Sequence, residues 1–127
     1  MLARTLAYLF PGIDFTRDVV IQAATGIVDW RRPEPQPTPA EIAAAELPSA
    51  KAAAIAANRA ECSARIYARY PPGRQLSALA GLYDSANVAT MTDWIAANIS
   101  AENTAADLIE AATTVQAVEA VTVAWPV

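Results

Sequence analysis

Apolar positions change their period several times along the chain. In "LARTLAYLF", Leu2, Leu6 and Leu9 recur at helical spacing, which predicts one or two helical turns ending at Pro11-Gly12. "DVVIQ" (18–22) and "GIVDW" (26–30) are short runs of β-branched and aromatic residues. They predict a β-hairpin with a loop of four or five residues, in which Gly26 supplies a positive φ. Two strands alone are marginal in water, so this pair needs another surface. Residues 31–39, "RRPEPQPTP", carry proline at 33, 35, 37 and 39. Alternate prolines fix φ and push each preceding residue toward extended geometry. A polyproline-like spacer rising about 3.1 Å per residue follows.

Helical spacing returns at Thr38. Thr38 at the N-cap, Pro39 at the first helical position and Glu41 at the third make a capping box. That helix reads through to Leu47, where Pro48 kinks or breaks it and Ser49 recaps a continuation. In the continuation Ile55, Cys62, Ile66 and Tyr70 share one face, and Pro71-Pro72-Gly73 ends it. A shorter helix offers Leu76, Leu79 and Tyr83. Asp84 or Ser85 caps the next, with Val88, Met91, Ile95 and Ile99 facing inward and Trp94 beside them. Ser100 caps a last helix running to Ala120, with Leu108, Ala112, Val115 and Glu119 in register. The tail "AVTVAW" either extends that helix or alternates as a strand with Val121, Val123 and Trp125 on one face; helix is the preferred reading. The fold class is therefore mainly α with a small N-terminal β-hairpin. An Ala-rich helical bundle (40–127) is joined through a Pro-rich extended linker (31–39) to an N-terminal segment (1–30).

Composition changes this picture in one respect. The chain is 54% apolar and 17% charged, a globular balance. About a quarter of it is alanine, which favours helix but buries little area. Large side chains are scarce, so the interior is expected to be thin or completed by a partner. The net charge is −4 with a single lysine, Lys51, and no basic patch. Nucleic acid and anionic membrane surfaces are thereby disfavoured as partners. The lone Cys62 forms no internal disulfide and reads as a small buried residue. The N-terminal apolar run is too short for a signal segment, and no run approaches a membrane span. A cytoplasm, or a particle assembled there, is the expected location.

Candidate chemistry is sparse. With no histidine, neither a Ser-His-Asp nor a Cys-His site can be built from this chain. Zinc needs clustered thiolates, and there is one thiol. Glu102, Asp107 and Glu110 lie along one helix and read as a solvated acidic face. No phosphate-loop pattern occurs. No catalytic, cofactor or metal residues are expected, nor a small-molecule substrate. "RRPEPQP" sets arginine beside PxxP, the grammar of an SH3-type ligand, though a rigid linker that also caps the next helix is the preferred reading. Trp30, closing a strand before the linker, is either the hairpin's anchor or part of a contact surface.

Leu9, Phe10, Pro11 and Gly12, then Trp30, then Pro35, Pro37, Thr38, Pro39, Ala40, Glu41 and Ile42 resemble small tail proteins of bacteriophages and prophages. These are described as tail-fibre assembly chaperones or tail accessory proteins. The resemblance covers about a third of the chain and brings no catalytic residues. The family often carries an acidic, Gly-rich hairpin turn where this chain has "AATG", and the C-terminal helices lie outside the resemblance. It implies a non-enzymatic virion tail component or fibre-assembly factor. Its partner would be a tail-fibre or baseplate protein, with trimeric symmetry if it is a fibre. The contact residues expected on this reading are Phe10, Phe15, Ile27, Trp30, Pro33, Pro35 and Pro37. The alternative is a cytoplasmic helical adaptor or regulator whose proline segment is a peptide ligand.

Overall fold

In the computed structural model, which describes all 127 residues, the elements run α1 (Leu2–Leu9), β1 (Val19–Gln22), β2 (Gly26–Trp30), α2 (Pro39–Arg69), α3 (Pro72–Leu79), α4 (Ser85–Ala111) and α5 (Val115–Glu119). The fold class read from the sequence holds. The axis of the molecule is α2, and its start is the expected capping box. Glu41 N donates to Thr38 Oγ1 at 3.2 Å, and Thr38 N donates to Glu41 Oε2 at 2.7 Å. Two orphan donors of the first turn are so satisfied. Pro48 does not break α2, which continues unbroken for 31 residues. Ser49 is consequently not a new cap. Its hydroxyl donates to Glu46 O at 2.9 Å and lies 3.4 Å from the Thr5 hydroxyl of α1. Thr5, Leu6 and Ser49 are all sealed where α1 crosses α2.

The second long helix also departs from the sequence reading. Asp84 caps α4, accepting from Asn87 N at 2.8 Å. The helix then runs through Ser100 to Ala111, so Ser100 is interior and its carbonyl accepts from Thr104 Oγ1. The buried positions are Met91, Asn98, Glu102, Ala105 and Ile109. With Ile95 they step by four and three, the spacing of a helix packed along a neighbour. Two of them are polar, which hid the stripe. Ile99 and Leu108, expected inside, are instead 45% and 56% exposed. The chain leaves α4 at Ala112 rather than continuing to Ala120. Thr113, Thr114 and Val115 are β-branched, and Thr114 caps α5 by accepting from Ala117 N at 3.0 Å. Residues 121–127 are neither helix nor paired strand. They run extended, with Val121, Val123 and Trp125 half-buried in alternation. Arg65 Nη2 holds Pro126 O at 2.7 Å, and Trp94 Nε1 holds Val127 O at 3.1 Å.

α2 and α4 thus form an antiparallel pair with two small cores. One gathers Ala50, Ile109 and Val118 of α5, ringed by Leu47, Ile55 and Val115. The other gathers Tyr70, Ala78 and Met91, ringed by Val88, Trp94 and Ile95. A polar layer lies between them, where Asn98 accepts from Arg65 Nε at 3.1 Å and donates to Trp94 O at 2.9 Å. Only 17 of 127 residues are buried, so the thin interior expected from the alanine content is what forms. No helix is long and apolar enough to cross a membrane.

The hairpin differs from expectation in its loop, and the surface it needs is supplied by its own helices. Gln22 pairs with Gly26, leaving a three-residue loop, and Gly26 keeps its positive φ of 77° as the first residue of β2. A bulge at Val28 shifts the register: Val19 faces Trp30, but Ile21 faces Ile27. Residues three apart in β2 therefore share a face, and Ile27 and Trp30 both join Val19 and Ile21 on the packed side. The linker is bent at residues 32–34 and extended afterwards. Leu2, Gly26, Ile27, Pro37 and Ile42 line one open groove, so the hairpin tip rests beside α1 and the first turns of α2 rather than standing away from them.

Candidate partner-binding site

The front end is tied together by a clasp that joins four stretches of chain. Its hub is Asp18, just before β1, with a side chain about 10% exposed. Its carboxylate accepts from Asp14 N at 3.1 Å, Arg17 Nε at 2.7 Å and Arg32 Nη1 at 3.1 Å. Its backbone carbonyl accepts from Arg31 N at 2.9 Å, extending the ladder beyond β2. The hydrogen bond from Arg17 is the main influence holding the Asp18 carboxyl down to about pKa 2, with the Asp14 amide and the charges of Arg17 and Arg32 adding to it against burial.

Arg32 carries the clasp into the linker. Its Nε and Nη2 grip Glu34 in a two-pronged contact at 3.1 and 2.9 Å. This contact raises the Arg32 pKa and lowers that of Glu34. The same bend brings Glu34 O to Trp30 Nε1 at 2.7 Å. Trp30 then meets Phe10, at the end of α1, edge to face with centroids 5.0 Å apart, and the Arg32 guanidinium lies 5.6 Å from the Phe10 ring.

Of the contact residues expected from the sequence, Phe10 and Trp30 are therefore brought together, both half-buried. Ile27 is half-buried on the packed face of the hairpin. Phe15 is 40% exposed on the turn before β1, with Tyr8, Val20 and Val28 as further exposed apolar side chains of this end. Pro33 and Pro35 are exposed, whereas Pro37 is buried against the hairpin and α2. Asp18, Arg32 and Glu34 were missed by sequence reasoning. The signal for them is slight: Asp18 and Arg32 are single charges 14 residues apart whose meeting depends on the hairpin register, and Glu34 follows two residues after Arg32.

Elsewhere, Cys62 is buried, and burial first, then the charge of Glu102, raises its thiol pKa. Glu102 is buried beneath the acidic face, 3.7 Å from Arg59 and with Oε1 lacking a hydrogen bond. The solvated acidic face expected of Glu102, Asp107 and Glu110 is corrected at Glu102, which the α2–α4 contact buries, whereas Asp107 and Glu110 are exposed. No group of three or more His, Cys, Asp or Glu side chains comes together that would hold a metal ion.

Fold and clasp define a small, mainly helical protein whose N-terminal strand pair is locked to its linker by charge and aromatic contact. Residues 2–55 match the XkdW family, described as XkdW protein, a phage-associated family. The match spans α1, the hairpin, the linker and the first half of α2, less than half of the chain, and supports a small phage or prophage protein. No curated protein and no solved structure matches the chain.

Proposed function

We propose that the protein is a phage tail component or tail-fibre assembly factor that acts by binding, without catalysis, to a fibre or baseplate subunit through its N-terminal end. The observation that carries this reading is the coincidence of the family match with the clasped module: α1, hairpin, linker and the start of α2 are what is shared. That module holds Phe10 against Trp30 and leaves Tyr8, Phe15, Val20 and Val28 partly exposed. Exposed aromatic side chains beside a rigid anchor are the composition of a binding patch. A virion tail or a host cytoplasm during assembly is the corresponding location. The peptide-ligand reading of the proline segment has less support, because Arg32 is taken up by Asp18 and Glu34 and Pro37 is buried.

The test is co-purification with the product of a neighbouring fibre or baseplate gene. Phe15→Ser and Val28→Glu touch exposed side chains and leave the clasp intact. Both are expected to weaken capture while far-UV helicity is unchanged. Capture that survives both, together with Trp30→Ala, removes the N-terminal end as the contact.

A further inference from the structure

Past the far end of α2, Ala78 of α3 packs with Tyr70 and with Met91 of α4. α2 is 31 residues long, so about 45 Å of helix lies between this corner and the clasp. A cavity of about 230 Å³ occupies the corner. Its apolar part is formed by Ala78, Val88 and Met91. Tyr70, Arg74, Tyr83 and Asn87 supply its polar groups.

Most of these polar groups are unused. Tyr70 is only 7% exposed. The one side-chain hydrogen bond that reaches it, from Gln75 Nε2 at 2.7 Å, ends on its backbone carbonyl, so the hydroxyl has no partner in the chain. A tyrosine this buried ordinarily places its hydroxyl in a hydrogen bond. Nor is that hydroxyl sealed from solvent, and the space Tyr70 lines is the cavity. Tyr83 is 39% exposed and its hydroxyl is equally free. The Arg74 guanidinium lies 5.3 Å from the centre of the Tyr70 ring, and none of the ion pairs of the chain includes it. Its N–H groups are left without a carboxylate acceptor. Asp84 follows Tyr83 in sequence, but its carboxylate accepts from Asn87 N and Asn87 Nδ2 at 2.8 and 3.0 Å and is not part of the lining. The lining thus combines free donors with no acid.

We infer that this cavity binds a carboxylate carried on a small apolar body, with the carboxylate held by Arg74 and the Tyr70 hydroxyl and the apolar body against Val88 and Met91. A cation would meet a guanidinium and no carboxylate to hold it. A purely apolar guest would cover the donors without satisfying them. An ionised carboxylate is acceptor-only, and its two oxygens take bonds from a guanidinium and a hydroxyl together. The space exceeds the roughly 150 Å³ that accommodates a benzene ring, which leaves room for one ring and its carboxylate. Two sources offer this chemistry: a free organic acid, or the apolar C-terminal residue of another chain. The inference is independent of the phage reading, because the cavity residues lie outside the matched residues 2–55.

Methyl resonances of Ala78, Val88 and Met91, followed by NMR as the full chain is titrated, test it. Benzoate serves as the free acid and N-acetylphenylalanine as the chain end. Benzamide and N-acetylphenylalaninamide are their uncharged counterparts. The expected result is saturable shifts with at least one acid at millimolar concentration or below, and binding about tenfold weaker for its amide. Tyr70→Phe keeps the ring and removes only the hydroxyl, and Arg74→Gln alters an exposed side chain. Each is expected to weaken binding of the acid by about tenfold with far-UV helicity unchanged. Tighter binding of benzoate assigns the site to a free acid, and tighter binding of N-acetylphenylalanine assigns it to a chain end. The inference is overturned by the absence of saturable shifts with both acids, by equal binding of acid and amide, or by binding that neither substitution changes.

Discussion

The front end and the helical body are held by different forces. Residues 1–38 gather around a buried carboxylate, two arginines and an edge-to-face aromatic pair. The body from Pro39 onward is held by two apolar clusters of three buried residues each, with an Asn–Arg layer between. Charge contacts are set by pH and salt, whereas apolar burial is nearly indifferent to both. The difference teaches where each half fails: the front should open in acid with the body intact, and core truncation should unfold the body at neutral pH.

The largest expected effect is in the body. Ile109 is 1% exposed at the meeting of α2, α4 and α5. Ile109→Ala should cost about 3 kcal/mol, the transfer loss plus a cavity in a core too small to refill it. Chemical denaturation followed by far-UV circular dichroism measures this directly. An effect below about 1 kcal/mol would mean that the α2–α4–α5 junction is not a core.

Next, Asp18→Asn should loosen the clasp without unfolding the helices. The substitution removes the charge that Arg17 and Arg32 converge on. Amides of β1 and β2 should exchange faster while those of α2 and α4 keep their protection. Equal protection in the variant would show that the aromatic pair alone suffices.

The smallest effect falls where the two regions join. Thr38→Ala removes the cap of α2 and should cost about 1 kcal/mol, with the Trp30–Glu34 bend undisturbed. A loss of hairpin protection in this variant would mean that the two regions are coupled through the linker.

Much of the fold was legible because local signals were strong. Thr38, Pro39 and Glu41 announce a helix start whatever surrounds them. The β-branched runs announce the strands, and Pro71-Pro72-Gly73 announces a stop. What could not be read depends on partners distant in sequence. Pro48 stays inside α2 one residue before Ser49, which is buried against Thr5 of α1. Asn98 and Glu102 take core positions as part of a polar layer, so an apolar stripe search skipped to Ile99 and Leu108. The candidate site was half legible. Phe10 and Trp30 stand out by type. Asp18, Arg32 and the bend that binds them are ordinary charged residues until the bulge at Val28 fixes the register.

The most direct test of the two-force account is hydrogen exchange in the free chain, expressed as protection factors, across an acid series. Asp18 titrates in the folded state near pH 2, well below its unfolded value, so its contribution is complete above about pH 4 and is lost as pH falls toward 2. The account predicts that protection at Val19–Gln22 and Gly26–Trp30 fades through that window while α2 and α4 around Ala50 and Ile109 remain protected. Simultaneous loss in both regions, or a hairpin still protected at pH 2, would contradict it.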